Sequence, residues 1–291
     1  MRRIGGLVAL GVLALGALRG AAAVPADPSS GAPLVLAVFP YLPPAEVSAR
    51  FTPLAELLAR ALGRPVTVRV GRNYAEHIEA VGTDSVDLAY LGPASYVKIV
   101  SRYGSKPLLA RQVIGGDPLL HGEIIVRQDS ALRSLQELRG KRFAFGDAEA
   151  TTGAVVPAAM LRAAGVPLSA LAQTAFLKSH RNVALAVLAG DFDAGAIRED
   201  AFLEYAPRGL RALAHQPAVA NDLFVASARL PAPQVDALRR TLLALPQSSP
   251  GRAAMAAIDP AMTALVPARD GDYDDLRALM QLPPGGARPH R

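Results

Sequence analysis

Apolar and polar positions alternate between two regimes along this chain. Short apolar runs bounded by Gly, Pro or charged residues predict strands at residues 34–39, 65–70, 86–91, 124–126, 141–145, 175–177, 192–197 and 223–226. Between them, apolar residues recur at helical spacing. Leu54, Leu57, Leu58, Ala61 and Leu62 mark a helix over 44–62 that Gly63 closes, and Asn73 caps another over 74–81. Further helices are expected from Gly92-Pro93 onward and over 132–138, 151–164, 183–189, 233–245 and 272–280. Strands that alternate with helices from Leu34 to Ala226 predict an α/β protein with parallel sheets.

The amino terminus follows a different pattern. Met1-Arg2-Arg3, an apolar stretch over 4–18 and the small residues Ala21-Ala22-Ala23 have the three regions of a secretory signal over 1–23, with cleavage near Ala23. Residues 24–32 then read as a flexible lead-in, and 282–291 as a disordered tail. The remaining apolar runs fall short of the roughly 20 residues that span a bilayer. The expected product is therefore a soluble, exported protein.

Composition narrows the function. The chain has 291 residues, 51% hydrophobic and 19% charged, which is globular, and it has no cysteine. Stability must come from a large core rather than disulfides, and thiolate chemistry is excluded. The formal charge of +6 loses three units with Arg2, Arg3 and Arg19, and no basic stripe with interleaved aromatics appears, which argues against nucleic acid as a partner.

Catalytic signatures are missing. Nucleophile-elbow, phosphate-loop, dinucleotide and zinc-protease motifs do not occur, and the histidines at 77, 121, 180, 215 and 290 lack metal-ligand spacing. The acids Asp270, Asp272, Asp274 and Asp275 precede a helical pattern and read as a cap and first-turn charges. They are also the sole sequence support for an exported phosphoesterase.

Binding chemistry is better represented. In FAFGDAEATTGAVVP (143–157) a strand runs into a turn and a helix start at Thr151-Thr152-Gly153, which offers free N–H groups, two hydroxyls and a positive dipole end to an anion. Alone, Thr151 is an N-cap. A second helix start, with Ser95 and Tyr96 beside it, follows the strand at 86–91.

The segments VDLAYLGPASYV, GKRFAFGDAEATTGAVVP, SHRNVALAVLAGDFDAGAIRED, DLFVASARLP and VPARDGDYDDLR resemble, in order, the blocks of the phosphate/phosphite/phosphonate family of periplasmic substrate-binding proteins of ABC transporters. The resemblance covers residues 34–280. It implies a two-lobed type II periplasmic binding fold, with a ligand cleft between lobes joined by a two-crossing hinge. The first lobe would combine 33–118 with 223–281, and the second would take 119–222. The ligand residues it implies are Tyr41, Tyr90, Ser95, Tyr96, Thr151, Thr152, Gly153, Ser179, His180 and Arg181, with no cofactor and no metal.

The chain departs from the family pattern in three places. Ala150 stands where a Ser is usual, Leu120-His121-Gly122 replaces a Tyr-x-Ser, and Arg181 takes the place of an acid that meets an ammonium in aminoalkyl-phosphonate binders. The resemblance therefore implies a monomer that takes a small oxyanion and hands it to an inner-membrane permease, or else reports it to a sensor kinase.

Overall fold

The computed structural model describes residues 31–282. The signal sequence, most of the lead-in and all but the first residue of the tail lie outside the described residues. In chain order the strands are β1 (Leu34–Val38), β2 (Val66–Val70), β3 (Leu88–Leu91), β4 (Leu108–Ile114), β5 (Leu119–Leu120), β6 (Gly122–Arg127), β7 (Arg142–Phe145), β8 (Gln173–Phe176), β9 (Ala194–Arg198), β10 (Leu210–His215), β11 (Val219–Ala220), β12 (Leu223–Ala226) and β13 (Met262–Val266). The α-helices are α1 (Pro44–Leu62), α2 (Tyr74–Gly82), α3 (Pro93–Tyr103), α4 (Val156–Ala163), α5 (His180–Ala189), α6 (Glu199–Tyr205), α7 (Ala232–Ala244), α8 (Ser249–Ile258) and α9 (Asp274–Met280).

Two sheets organise two lobes. The first has the order β13-β4-β12-β3-β1-β2 and the second β10-β6-β9-β7-β8. In the first, β1 is buried on both faces and pairs in parallel with β2 and β3, as its unbroken apolar run implies. One face is covered by α1, α7 and α8, through Phe51, Leu54, Leu58, Leu238 and Met255, and the other by α2, α3 and α9. In the second, Leu138 and Leu161 cover one face while Val183, Val187 and Tyr205 cover the other. The fold is the two-lobed type II architecture.

The sheets are mixed rather than parallel. β12 runs antiparallel to β3 and β4, β13 antiparallel to β4, and β6 antiparallel to β9 and β10. The reason is the double passage between lobes: a chain that leaves the first sheet and returns reaches it from the opposite direction. The crossings lie side by side, since β5 and β11 pair antiparallel, and Asn221 Nδ2 donates to the Leu119 carbonyl at 3.1 Å.

The strands β4, β5, β10, β11 and β13 and the helices α6 and α8 occupy stretches in which the sequence pattern predicts no element. β4 is masked by the polar pair Arg111-Gln112; Gln112 is buried because it serves the hinge network described below. The helix expected over 132–138 is reduced to one 3-10 turn at Gln136–Leu138.

The helix expected from Thr151 opens with a π turn over Thr151–Val155 before α4 begins. Its wide first turn sets Gly153 against Gly146, whose N–H donates to the Gly153 carbonyl at 2.9 Å. Irregular turns of this kind are frequent at functional sites.

Candidate functional site

The carboxyl ends of the strands converge on a cavity of about 470 Å³ between the lobes. This is where ligands bind in open α/β sheets. Tyr41 follows β1, Gly92 follows β3, Ala150 and the π turn follow β7, Ser179 follows β8, and Arg198 ends β9. From the first lobe come Phe39, Tyr41, Tyr74, Tyr90, Gly92 and Ser95; from the second come Thr151, Thr152, Ser179, His180, Arg181 and Arg198.

Ser95 is the sharpest polar feature. It is fully buried in the first turn of α3, lines the cavity, and has no hydrogen-bond partner for its hydroxyl among the described residues. An unpaired buried hydroxyl costs roughly 1–3 kcal/mol. The positive end of the α3 dipole lies at the same place, so the pair fits an anionic acceptor.

Thr151 and Thr152 face it from the other lobe with different tasks. Thr151 Oγ1 accepts from the Ala94 N–H at 3.0 Å and so caps α3 across the cleft. No side chain caps α3 from its own lobe. The Thr152 carbonyl accepts from Gln216 Nε2 at 2.9 Å, and its side chain lines the cavity. N–H groups at a helix start lack acceptors within the helix, so this turn adds donors to the wall.

His180 begins α5, whose N-cap Ser179 accepts from the Asn182 N–H at 3.2 Å. The His180 Nδ1 accepts from the Arg198 N–H at 3.3 Å, which leaves the neutral ring its proton on Nε2. Burial, helped by the Arg198 charge, lowers its pKa to about 4. His180 is thus a neutral donor at ordinary pH.

Two residues of the predicted set do not reach the cavity wall. The Tyr96 hydroxyl points away and donates to Asp270 Oδ1 at 2.6 Å, while its ring packs on Tyr273 with centroids 4.8 Å apart. Its position on α3 turns it to the core face, so the expectation of a ligand contact is corrected to one of lobe packing. Gly153 acts through what it lacks, since a Cβ there would meet His180 Cε1 and Gly146 Cα at 3.3 Å. The remaining eight (Tyr41, Tyr90, Ser95, Thr151, Thr152, Ser179, His180 and Arg181) are gathered at one cavity.

Sequence reasoning missed the charged floor. Arg198 holds Asp200 by two bonds, Nε to Oδ1 at 2.7 Å and Nη2 to Oδ2 at 2.5 Å, and reaches Asp259 of the first lobe at 3.9 Å. Burial would raise the Asp200 carboxyl, but Arg198 outweighs it and brings it to about 2.

Asp222, the residue after the second crossing, lies on the same wall. Its Oδ2 accepts from Tyr90 at 3.3 Å and from Gln112 Nε2 at 3.2 Å, while Gln112 also accepts the Tyr90 hydroxyl at 2.6 Å and donates to Asn221 Oδ1 at 2.8 Å. Burial raises the Asp222 carboxyl to about 6, with Arg198 partly opposing. The available sequence signal was positional: Arg198 ends a strand, and Asp222 adjoins a hinge.

The aspartate run has a structural role. Asp272 Oδ2 accepts from the Arg269 N–H at 2.8 Å, and Asp270 and Asp274 pair with the buried Arg277. Asp193 pairs with Arg142 at 2.8 Å, outside the cavity. Among the described residues no group of His, Cys, Asp or Glu is placed to hold a metal ion, and no helix is long and apolar enough to cross a membrane.

Residues 36–273 match the family described as ABC transporter, phosphonate, periplasmic substrate-binding protein. A phosphate-import protein of Mycolicibacterium smegmatis is 31% identical over 173 residues, which cover 56% of this chain and 54% of that protein. A phosphonates-binding periplasmic protein of Escherichia coli is 29% identical over 112 residues, 37% of this chain and 33% of the relative. The matched part is thus about half of the first relative's length and a third of the second's. Among solved structures, a protein of Prochlorococcus marinus in complex with methylphosphonate superposes with a TM-score of 0.75 at 20% identity, covering 85% of this chain and 97% of that one, which shows the fold.

Proposed function

From the premise that the chain belongs to the family of periplasmic phosphonate substrate-binding proteins of ABC transporters, we propose that it captures a small phosphorus oxyanion between its lobes and presents it to an inner-membrane permease. The observation that carries this reading is Ser95: a buried, unpartnered hydroxyl at the start of α3, facing a second helix start and a neutral histidine across the cleft. In this reading Ser95, Thr152 and His180 Nε2 donate to the anion together with N–H groups of the π turn, and Tyr41 and Tyr90 enclose its substituent. Ser179 positions His180, Thr151 joins the lobes, and Arg181 adds charge at the mouth.

Neutral donors suit such a task. They hold an oxyanion without the full desolvation cost of a buried ion pair, so capture and release both remain accessible. No bond is made or broken, and neither a cofactor nor a catalytic residue enters the scheme. The working location is the periplasm, and closure of the lobes about the hinge gives the permease a shape to recognise.

Isothermal titration calorimetry of the purified protein with methylphosphonate, phosphite and phosphate tests the proposal. A ligand at 100 times its dissociation constant should stabilise the fold by about 2.7 kcal/mol in a thermal-shift experiment. Absence of heat and of a shift with all three anions would defeat it.

A further inference from the structure

Gln112 of β4 stands behind the cavity wall rather than on it, and it is only 2% exposed. Its Oε1 accepts the Tyr90 hydroxyl at 2.6 Å, and the hydrogens of its Nε2 go to Asn221 Oδ1 at 2.8 Å and Asp222 Oδ2 at 3.2 Å. Its main-chain N–H donates to the Asp222 carbonyl at 2.9 Å. One end of the amide thus holds a ring of the ligand cavity, and the other holds the second crossing between the lobes.

Asn221 extends this line to the first crossing. It is 1% exposed, its N–H donates to the Pro118 carbonyl at 3.2 Å and its Nδ2 to the Leu119 carbonyl at 3.1 Å, while its own carbonyl accepts the Tyr273 hydroxyl at 3.2 Å. Tyr90, Gln112, Asn221 and Leu119 are therefore joined, through buried bonds, from the cavity to both strands of the hinge.

The donor inventory fixes the direction of each bond. Asn221 Oδ1 is held as an acceptor by the Asp222 N–H at 2.8 Å, so turning the Gln112 amide over would set its Oε1 against Asn221 Oδ1 and a carboxylate oxygen, acceptor against acceptor. Tyr90 must then donate, and the bond to Gln112 at 2.6 Å is shorter than the one to Asp222 Oδ2 at 3.3 Å. Its single proton is spent there, and what it offers a ligand is its ring. That ring lies 5.5 Å from Phe39, 5.0 Å from Phe51 and 4.8 Å from Phe224, centroid to centroid. Phe224 belongs to β12, which leaves the second crossing, so a ligand pressed on Tyr90 bears on the hinge by a packed route as well as a hydrogen-bonded one.

We infer that Gln112 is the positioning residue that couples the ligand to the hinge: without touching the anion, it holds Tyr90 and the two crossings in one register, that of the lobes drawn together. The inference rests on the reading of a ligand captured between closing lobes, and it adds the residue through which capture reaches the hinge.

A closed state that is populated less lowers the apparent affinity by the same factor. Gln112→Leu keeps the volume and removes the amide, and it should weaken methylphosphonate binding by about tenfold, the scale of one buried hydrogen bond. Tyr90→Phe keeps the ring and removes the hydroxyl, and should lose part of this. Because both act through one bond, the double variant should lose no more than Gln112→Leu alone. Calorimetry measures all three.

Lobe closure is read separately. The chain has no cysteine, so Glu56→Cys on α1 and Ser169→Cys in the second lobe can carry a spin-label pair for double electron–electron resonance. At saturating methylphosphonate the otherwise unaltered protein should show a single distance, and Gln112→Leu and Tyr90→Phe should each keep a second, ligand-free one beside it. Losses that multiply in the double variant overturn the inference, as does weaker binding with the lobes fully closed, or unchanged affinity in both single variants. If Gln112→Leu does not fold, Tyr90→Phe decides: a second distance supports the coupling, and a single one overturns it. Phosphonate binding by the unaltered protein stands in each of these outcomes. If methylphosphonate, phosphite and phosphate all fail to bind it, the oxyanion reading falls and the inference falls with it.

Discussion

The hydroxyl of Thr151 in the second lobe accepts the N–H of Ala94 in the first at 3.0 Å, so a residue expected to hold an anion also caps a helix across the cleft. Lys98 of α3 and Glu149, two residues before Thr151, form an ion pair beside it. Both contacts require the lobes to be together.

Removal of the Thr151 hydroxyl therefore acts on closure as well as on affinity. Thr151→Val should weaken phosphonate binding by on the order of 1 kcal/mol, about fivefold, most of it as faster dissociation. Thr151→Ser should restore it. Stopped-flow kinetics separates the two rates, and an effect confined to association would count against the interlobe role.

Tyr96 and Ser95 are adjacent but should respond oppositely. Tyr96→Phe loses the bond to Asp270 and about 1 kcal/mol of stability in urea unfolding, with ligand affinity unchanged. Ser95→Ala should leave stability equal or higher, because it removes an unpaired buried hydroxyl, and weaken binding by about 1–3 kcal/mol. A Tyr96→Phe protein that binds poorly would restore Tyr96 to the ligand set.

Gly153→Ala tests the packing of the π turn on His180. The new Cβ meets Ala150 Cβ at 3.2 Å and both Gly146 Cα and His180 Cε1 at 3.3 Å, so backbone and imidazole must yield. The expected cost is roughly 1–3 kcal/mol of stability, together with weaker binding because His180 Nε2 is displaced. Thermal denaturation and calorimetry on one sample report both.

His77 sets an acid limit on stability. It is 1% exposed, its Nε2 has no hydrogen-bond partner among the described residues, and burial lowers its pKa to about 4. The folded value lies below the ordinary histidine value of 6.5, so the unfolded chain binds the proton first. Stability from this group is complete above pH 6.5 and falls as the pH drops towards 4, by on the order of 3 kcal/mol in full. His77→Leu should flatten that part of the urea-midpoint profile. An identical slope in the variant would remove His77 from the account.

Much of the first sheet was legible in the sequence because its central strands are buried on both faces and print an unbroken apolar run, as at Leu34–Val38 and Leu88–Leu91. α1 was legible for a similar reason, since its buried stripe and Gly63 at φ 61° are local facts. The eight cavity residues were gathered by their order in several blocks rather than by any one motif, because a hydroxyl at a helix start reads equally as a cap.

What the sequence determined, then, is the alternation of elements and the helix starts that carry hydroxyls, since both depend on residues within a few positions of each other. Only the tertiary structure decided the rest. The return of the chain through β11 made the sheets mixed, the phase of α3 turned Tyr96 inward and left Ser95 at the cavity, and the meeting of Arg198 with Asp200 left Asp222, of the acids on the cavity wall, without a cation among the described residues. A charge acquires its meaning from its partner, and these partners are brought together by the fold.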